Sequence, residues 1–261
     1  MTKFIGQTKI IRELNYILDQ ARTGVPYNIL FSARTGYGKT FLAMQAVSRV
    51  ATYQIFIKED ANEIIRDILR QKTMSNLIDE IHLVRNIELL YPMMDEERYF
   101  LIFATNQSYA LPEAFKRRCI PMMFEKYNKL ELAHIASGRL QGLNIGVDCL
   151  DEIVRASNYT PGNIVILCIR LHAVFGPKGG FSVIELRDAL VNIFNIQNGL
   201  DIRCREYLEV LERIGHASLD ALSYIMGVNK DTVRDEIESV LLNKGLIQIT
   251  SKGRSLSNDN H

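Results

Sequence analysis

The sequence predicts an α/β fold: a parallel sheet with helices on both faces, then a small helical domain, then a C-terminal winged helix. Three observations carry this. A strand, a glycine loop and a helix follow one another in Asn28–Ala43 (NILFSARTGYGKTFLA). A second apolar run, in Ser75–Val84 (SNLIDEIHLV), leads into paired acids. Beyond Tyr127 the hydrophobic period turns wholly helical, and the chain closes on helix, turn, helix and hairpin.

The elements come in order. Phe4-Ile5-Gly6-Gln7 precedes a helix whose Ile10, Ile11, Leu14, Ile17, Leu18 and Ala21 share one face, ended by Gly24 and Pro26. Asn28–Ser32 is long enough for one buried strand, Ala33–Tyr37 is a glycine-containing loop, and Gly38-Lys39-Thr40 opens a helix. This is the context that a phosphate-binding loop requires. Helix N-terminus and loop N–H groups converge on one spot and attract an anion. Lys39 then adds a point charge on the outer phosphates, and the Thr40 hydroxyl reaches a magnesium ion. The usual pattern begins with Gly where this chain has Ala33, which matters only if the backbone there needs positive φ. GKT at such a turn also arises by chance, so a second motif has to decide.

Thr52–Lys58 reads as a strand and Ala61–Gln71 as a helix. Asp79-Glu80 then stand at the C-terminal end of a buried strand, where open α/β sheets bind ligands, about 40 residues after Lys39. Asp79 would hold the magnesium shell and Glu80 would orient and polarise the attacking water; the alternative is two solvated acids. Arg98–Thr105 is another buried strand ending at Asn106, whose amide can hydrogen-bond the water or the γ-phosphate, or merely start a turn. Leu111–Cys119 (LPEAFKRRC) gathers Lys116, Arg117 and Arg118, on its own a solvated basic face, before a short strand at Ile120–Phe124.

Helices are expected at Leu130–Gln141, Cys149–Ser157, Gly162–Phe175 and Val183–Phe194, with Pro177, Gly179 and Gly180 as connector. After Gly199-Leu200-Asp201 come helices at Cys204–Ile214, Leu219–Met226 and Lys230–Lys244, then two strands around Ser251-Lys252-Gly253, the winged-helix pattern. The polar tail from Ser257 is expected to be disordered. The expected domains are 1–126, 127–198 and 199–261.

Composition narrows the classes. With 47% hydrophobic and 23% charged residues, the 261-residue chain is an ordinary globular one. No apolar run approaches a membrane span, and MTKFIGQ lacks the features of a signal peptide, so a cytoplasmic protein is expected. The four cysteines are scattered without C-x-x-C spacing and the five histidines do not cluster, which points to reduced thiols and no metal centre of that kind. A net charge of +1 gives the whole chain no footprint for nucleic acid.

These elements in this order resemble the AAA+ ATPases and, among them, the RuvB family of Holliday-junction branch-migration motors, over nearly the whole chain. FIGQ is similar to the adenine-side opening segment, NILFSARTGYGKTFLA to Walker A, and LIDEIH, with His82, to Walker B. Asn106 occupies the sensor 1 place. LPEAFKRRC looks like the box carrying the arginine finger, with Arg118 better aligned than Arg117. YTPGN looks like the lid's sensor 2 segment, and 199–254 like the winged-helix head. The resemblance implies ATP and Mg2+ as ligands, the nucleotide held by Ile5, Gly6, Gly36, Tyr37, Gly38, Lys39, Thr40 and Phe41, and the metal by Thr40 and Asp79. It implies catalysis by Glu80 and Asn106 with Arg118 or Arg117 acting in trans, and hence a homo-oligomer, six being usual for the family.

There are departures. Ala33, Arg34 and Thr35 replace the family's Gly and two prolines. The sensor 2 arginine position holds Asn163, with Arg170 two turns on as a substitute. The hairpin that docks the partner RuvA is missing: His82–Arg98 leaves room for one helix and a turn. A different protein adaptor at the AAA+ domain, or none, is therefore expected.

DNA binding follows less directly. Residues 199–261 hold eight Lys/Arg against ten Asp/Glu, and the would-be recognition helix carries Asp231, Asp235, Glu236 and Glu238. Sequence-specific readout, and with it a transcription regulator, is disfavoured. Lys252 and Arg254 on the wing are the expected DNA contacts, a few phosphates per subunit multiplied around a ring on duplex or branched DNA. Contact with protein only is the alternative for this domain. Two functions stay open: a translocating or branch-migrating motor, and an ATP-switched loader that positions another protein on DNA.

Overall fold

The computed structural model describes residues 4–57, 59–96 and 98–257, and the chain divides into two compact units, 1–131 and 132–261. Lys58, expected to end the second strand, and the tail beyond Ser257 lie outside the described residues.

The first unit is built on five parallel strands: β1 (Tyr27–Ser32), β2 (Tyr53–Phe56), β3 (Ser75–Ile78), β4 (Phe100–Thr105) and β5 (Ile120–Met123), in the order β2-β3-β4-β1-β5. Alternation along the strands sends side chains to two separate cores. Ile29, Phe31, Ile102 and Ala104 face one core, with Leu14 and Leu18 of α1 (Thr8–Ala21) and Ala43 and Val47 of α2 (Lys39–Val50). Leu30, Leu101 and Phe103 face the other, with Ile64 and Ile68 of α3 (Ala61–Gln71) and Met93 and Met94 of α4 (Tyr91–Asp95). The sheet is therefore covered on both faces, as the unbroken apolar strands require.

Two features of the topology position the site. Tyr27 pairs with Phe100 and Ser32 with Thr105, so the chain leaves β1 and β4 side by side. β3 lies next to β4 and ends level with Phe103, so Asp79 follows on the same edge. The short α5 (Glu113–Lys116) and residues 117–119 come before β5, which places them at the opposite edge. Between Ile81 and Arg98 run two 3-10 turns (Ile81–Leu83 and Ile87–Leu90) and α4; no hairpin occurs there among the described residues.

Helix α6 (Lys129–Arg139) runs across the boundary at 131/132, and the second unit continues with α7 (Val147–Ala156), α8 (Pro161–Phe175) and α9 (Val183–Asn192). A two-residue parallel pair, Asn144-Ile145 with Gly180-Phe181, ties their connections, and is too short for any periodicity to reveal. A capping box between Ser182 and Glu185 starts α9. Next come α10 (Ile202–Ile214) and α11 (Leu219–Met226), capped by Asp201 and Ser218. Lys230–Lys244 is not one regular helix as expected: Thr232–Glu238 is wound as a wide π-turn before α12 (Ser239–Asn243). The antiparallel hairpin of β6 (Ile247–Thr250) and β7 (Gly253–Leu256) completes the winged-helix fold around Tyr207, Leu211, Leu222, Val233 and Leu241. Among the described residues, no helix is long and apolar enough to cross a membrane, and all four cysteines are free and buried.

Candidate nucleotide site

The loop between β1 and α2 is shaped by its glycines. Gly36 and Gly38 have φ of 80° and 87°, a left-handed backbone closed to most side chains. Ala33 is not left-handed; its N–H donates to the Thr105 carbonyl at 3.2 Å, continuing the sheet ladder. Alanine therefore replaces glycine there without backbone strain. Gly38 is the N-cap of α2 and no side chain caps the helix, so its first N–H groups are left to an anion.

Lys39 is buried, and its Nζ donates to the loop's own carbonyls, Ala33 at 2.9 Å and Arg34 at 3.2 Å. Burial holds its pKa below the usual lysine value, partly offset by the Glu80 and Asp79 carboxylates. The Thr40 hydroxyl donates to Asp79 Oδ2 at 2.7 Å, bringing together the two residues expected to hold a metal. Asp79 Oδ1 accepts the Glu80 N–H at 3.0 Å. Glu80 sits at φ 48°, ψ 45°, a conformation that costs a non-glycine residue about 1–2 kcal/mol. Such strain is characteristic of functional positions. Its carboxylate lies 3.3 Å from His82 Nδ1, which is itself 3.0 Å from the Thr105 hydroxyl. Asn106 donates from Nδ2 to the Thr35 hydroxyl at 3.2 Å, while its buried Oδ1 has no partner. Lys39, Thr40, Asp79, Glu80 and Asn106 thus meet at one edge of the sheet.

An aromatic group closes over the loop. Phe4 stacks on Phe41 at 6.0 Å, and a β-carbon on Gly38 would lie 3.1 Å from the Phe4 ring. Tyr127 donates to the Tyr37 carbonyl at 3.0 Å and packs edge-on against the Tyr37 ring; burial pushes its hydroxyl pKa up. Gly6, at φ 82°, leaves the space that its β-carbon would contest with Tyr127 at 2.6 Å. Ile5 is half-buried beside it. Tyr127 was not singled out in the sequence, because it meets the loop across 90 residues.

Arg117 and Arg118 are not part of this cluster. They precede β5 and line an open groove with Tyr27, Asn28, Asp95 and Glu96, at the other end of the strands. Six residues of β1 separate the two edges, about 20 Å of extended chain. Arg118 donates from Nε and Nη2 to Asp95 at 2.9 and 3.1 Å, and Arg117 is exposed.

In the second unit, Asn163 donates to the Ser157 carbonyl at 3.3 Å, and Arg170 stacks over Phe194 at 4.2 Å. The wing carries a correction. Glu238, counted among the acids of an outward helix face, is fully buried; it accepts from Tyr207 at 2.8 Å and from Arg254 Nε at 2.9 Å. The π-turn rotates it inward, and the lone sequence signal was a charge complement on the wing. Arg254, expected on phosphate, is thereby held by Glu238, while Lys252 stays exposed at the tip. The remaining acids are also occupied: Asp231 and Asp235 pair with Arg234, and Glu236 with Arg203.

Comparison with known proteins fits this geometry. Residues 197–260 match the family model for the RuvB C-terminal winged helix domain. The Holliday junction branch migration complex subunit RuvB of Rhodopirellula baltica is 31% identical over 97% of this chain and 80% of its own length. The subunit of the same name from Mycoplasma genitalium is 26% identical over 98% and 93%. Among solved structures, the Thermotoga maritima RuvB Holliday junction branch migration motor superposes with a TM-score of 0.83 at 25% identity, over 98% of this chain and 93% of that one. With this identity, coverage and shared architecture, the chain belongs to the RuvB family of AAA+ ATPases.

Proposed function

We propose that the protein is an ATP-driven ring motor acting on duplex or branched DNA without reading its sequence, each hydrolytic pocket being completed by the neighbouring copy's Arg118. The observation that carries this reading is the separation of the two halves of the pocket. Lys39, Thr40, Asp79, Glu80 and Asn106 share one edge of the sheet, and Arg117 and Arg118 lie at the other.

The residues suit a triphosphate with magnesium. Lys39 donates to loop carbonyls that a phosphate can replace, and the buried Asn106 Oδ1 has no partner to give up. Thr40 and Asp79 offer two hard oxygen donors, which suits an ion completed by phosphate and water. When bound, magnesium would neutralise charge on the phosphates. Lys39 would exchange its carbonyls for phosphate oxygens, Thr40 and Asp79 would hold the ion, and Glu80 and Asn106 would orient the attacking water. Arg118 would stabilise the charge that develops on the transferred phosphoryl group.

Three domains, 1–126, 127–198 and 199–261, would make up each subunit, the second bringing Asn163 and Arg170 to the nucleotide. Lys252 would supply sequence-independent phosphate contact, and the protein would work in the cytoplasm. The segment 81–98, with no hairpin among its described residues, supports a second reading, an ATP-switched loader using another adaptor or none. ATP-dependent dissociation of a synthetic four-way junction, and displacement of a roadblock from duplex DNA, test the motor. Mass measurement with an ATP analogue, with and without duplex DNA, tests the ring. A ring that hydrolyses ATP but moves neither substrate would leave the loader.

A further inference from the structure

We propose that Asp95 and Tyr91 are positioning residues that pre-set the Arg118 guanidinium for a neighbouring copy's triphosphate, an inference that rests on the reading of Arg118 as the finger in trans. Four contacts frame this side chain. Nε and Nη2 donate to the two oxygens of Asp95 at 2.9 and 3.1 Å, and Nη1 donates to the Ala114 carbonyl at 2.9 Å. The guanidinium carbon lies 4.5 Å from the centre of the Tyr91 ring. A guanidinium has five N–H donors. Three are engaged here, which leaves one on Nη1 and one on Nη2, a fork that matches two phosphate oxygens.

The frame is firmly seated. Tyr91 and Asp95 are the ends of α4, whose Met93 and Met94 are buried in the core beneath it. The Met94 carbonyl, one residue before Asp95, accepts from Asn28 Nδ2 of β1 at 2.8 Å. Arg118 keeps a third of its side-chain surface exposed, at 32%, on an open groove. Arg117 is exposed and has no such frame among the described residues, so the geometry also separates the two candidate arginines.

A free arginine loses much rotamer entropy when it docks. A finger already held in place loses little, and small misplacement of a catalytic group is costly in rate. The ion pair is half-exposed and contributes little to stability, so its removal leaves the fold intact.

The experiment uses full-length Asp95→Asn, Asp95→Glu and Tyr91→Leu with Arg118→Ala as reference, each checked for an unchanged unfolding midpoint. Asp95→Asn is expected to lower kcat for ATP about 10-fold or more with KM unchanged. Asp95→Glu should recover part of the loss, and Tyr91→Leu should show a smaller one. Mixing Asp95→Asn with Lys39→Ala should raise turnover per Asp95→Asn chain several-fold, because each variant supplies the half that the other lacks. A kcat for Asp95→Asn equal to or above the parent's, beside an inactive Arg118→Ala, overturns the positioning role and leaves the finger. A loss that mixing does not rescue also overturns it, since Asp95 would then act within its own subunit. Full turnover by Arg118→Ala removes the finger itself, an outcome distinct from both.

Discussion

The two edges of the central sheet are built on different principles. At the C-terminal edge Lys39 and Asp79 are buried and the polar groups are bonded to one another: Lys39 to loop carbonyls, Thr40 to Asp79, Asn106 to Thr35. At the N-terminal edge Arg118 sits in a half-exposed ion pair on an open groove. An internally bonded cluster binds a ligand by exchanging its internal bonds, whereas an exposed and framed charge is suited to meeting something that arrives from outside. On the proposed reading, one chain carries two incomplete halves of a pocket, at opposite edges of the sheet.

The largest effects should come from breaking either half. Arg118→Ala is expected to lower kcat by about 10³-fold or more, and Glu80→Gln by about 10²–10⁴-fold. Nucleotide binding, read by equilibrium titration with a fluorescent analogue, should survive in both. Loss of binding in Arg118→Ala would place that arginine in its own subunit's pocket and erase the contrast between the edges.

A second effect sharpens the comparison through the other framed arginine. Arg254 and Glu238 are 18% and 1% exposed at the side chain, so this pair is a buried strut where Arg118–Asp95 is not. Glu238→Ala should destabilise the second unit by about 3–5 kcal/mol, read by denaturant unfolding, because it leaves a buried guanidinium unpaired. Asp95→Asn should shift the same measurement hardly at all.

Lys252→Glu should leave stability alone and weaken duplex binding, reducing the salt dependence by about one phosphate contact per subunit. An unchanged salt slope would assign the winged helix to protein contact. The smallest effect concerns the thiols. Burial pushes Cys119, Cys168 and Cys204 up to about 12, so a thiol reagent at neutral pH should label them only as the protein unfolds.

Much of this was legible in the sequence, for reasons that differ by region. The strand–loop–helix at Asn28–Ala43 and the acids after Ser75–Ile78 could be read because both motifs are contiguous and their backbone context is local. The position of Arg118 on the far edge followed from its place before β5. What stayed hidden depends on long separations. Tyr127 reaches the loop across 90 residues, and Arg118 finds Asp95 across 23. A regular 3.6-residue period keeps Glu238 with its acidic neighbours, whereas the π-turn at Thr232–Glu238 carries it into the core. Local periodicity does not encode such a turn.

The most direct test of the two-edge account is complementation between two inactive variants. Lys39→Ala lacks one half of the pocket and Arg118→Ala the other, so each alone should be silent. In a ring assembled from an equal mixture, about one quarter of the pockets join an intact cradle to an intact arginine when the finger acts in trans. Recovery of ATP turnover to about that fraction of the parent's is the expected result; a mixture as silent as its components would contradict the account.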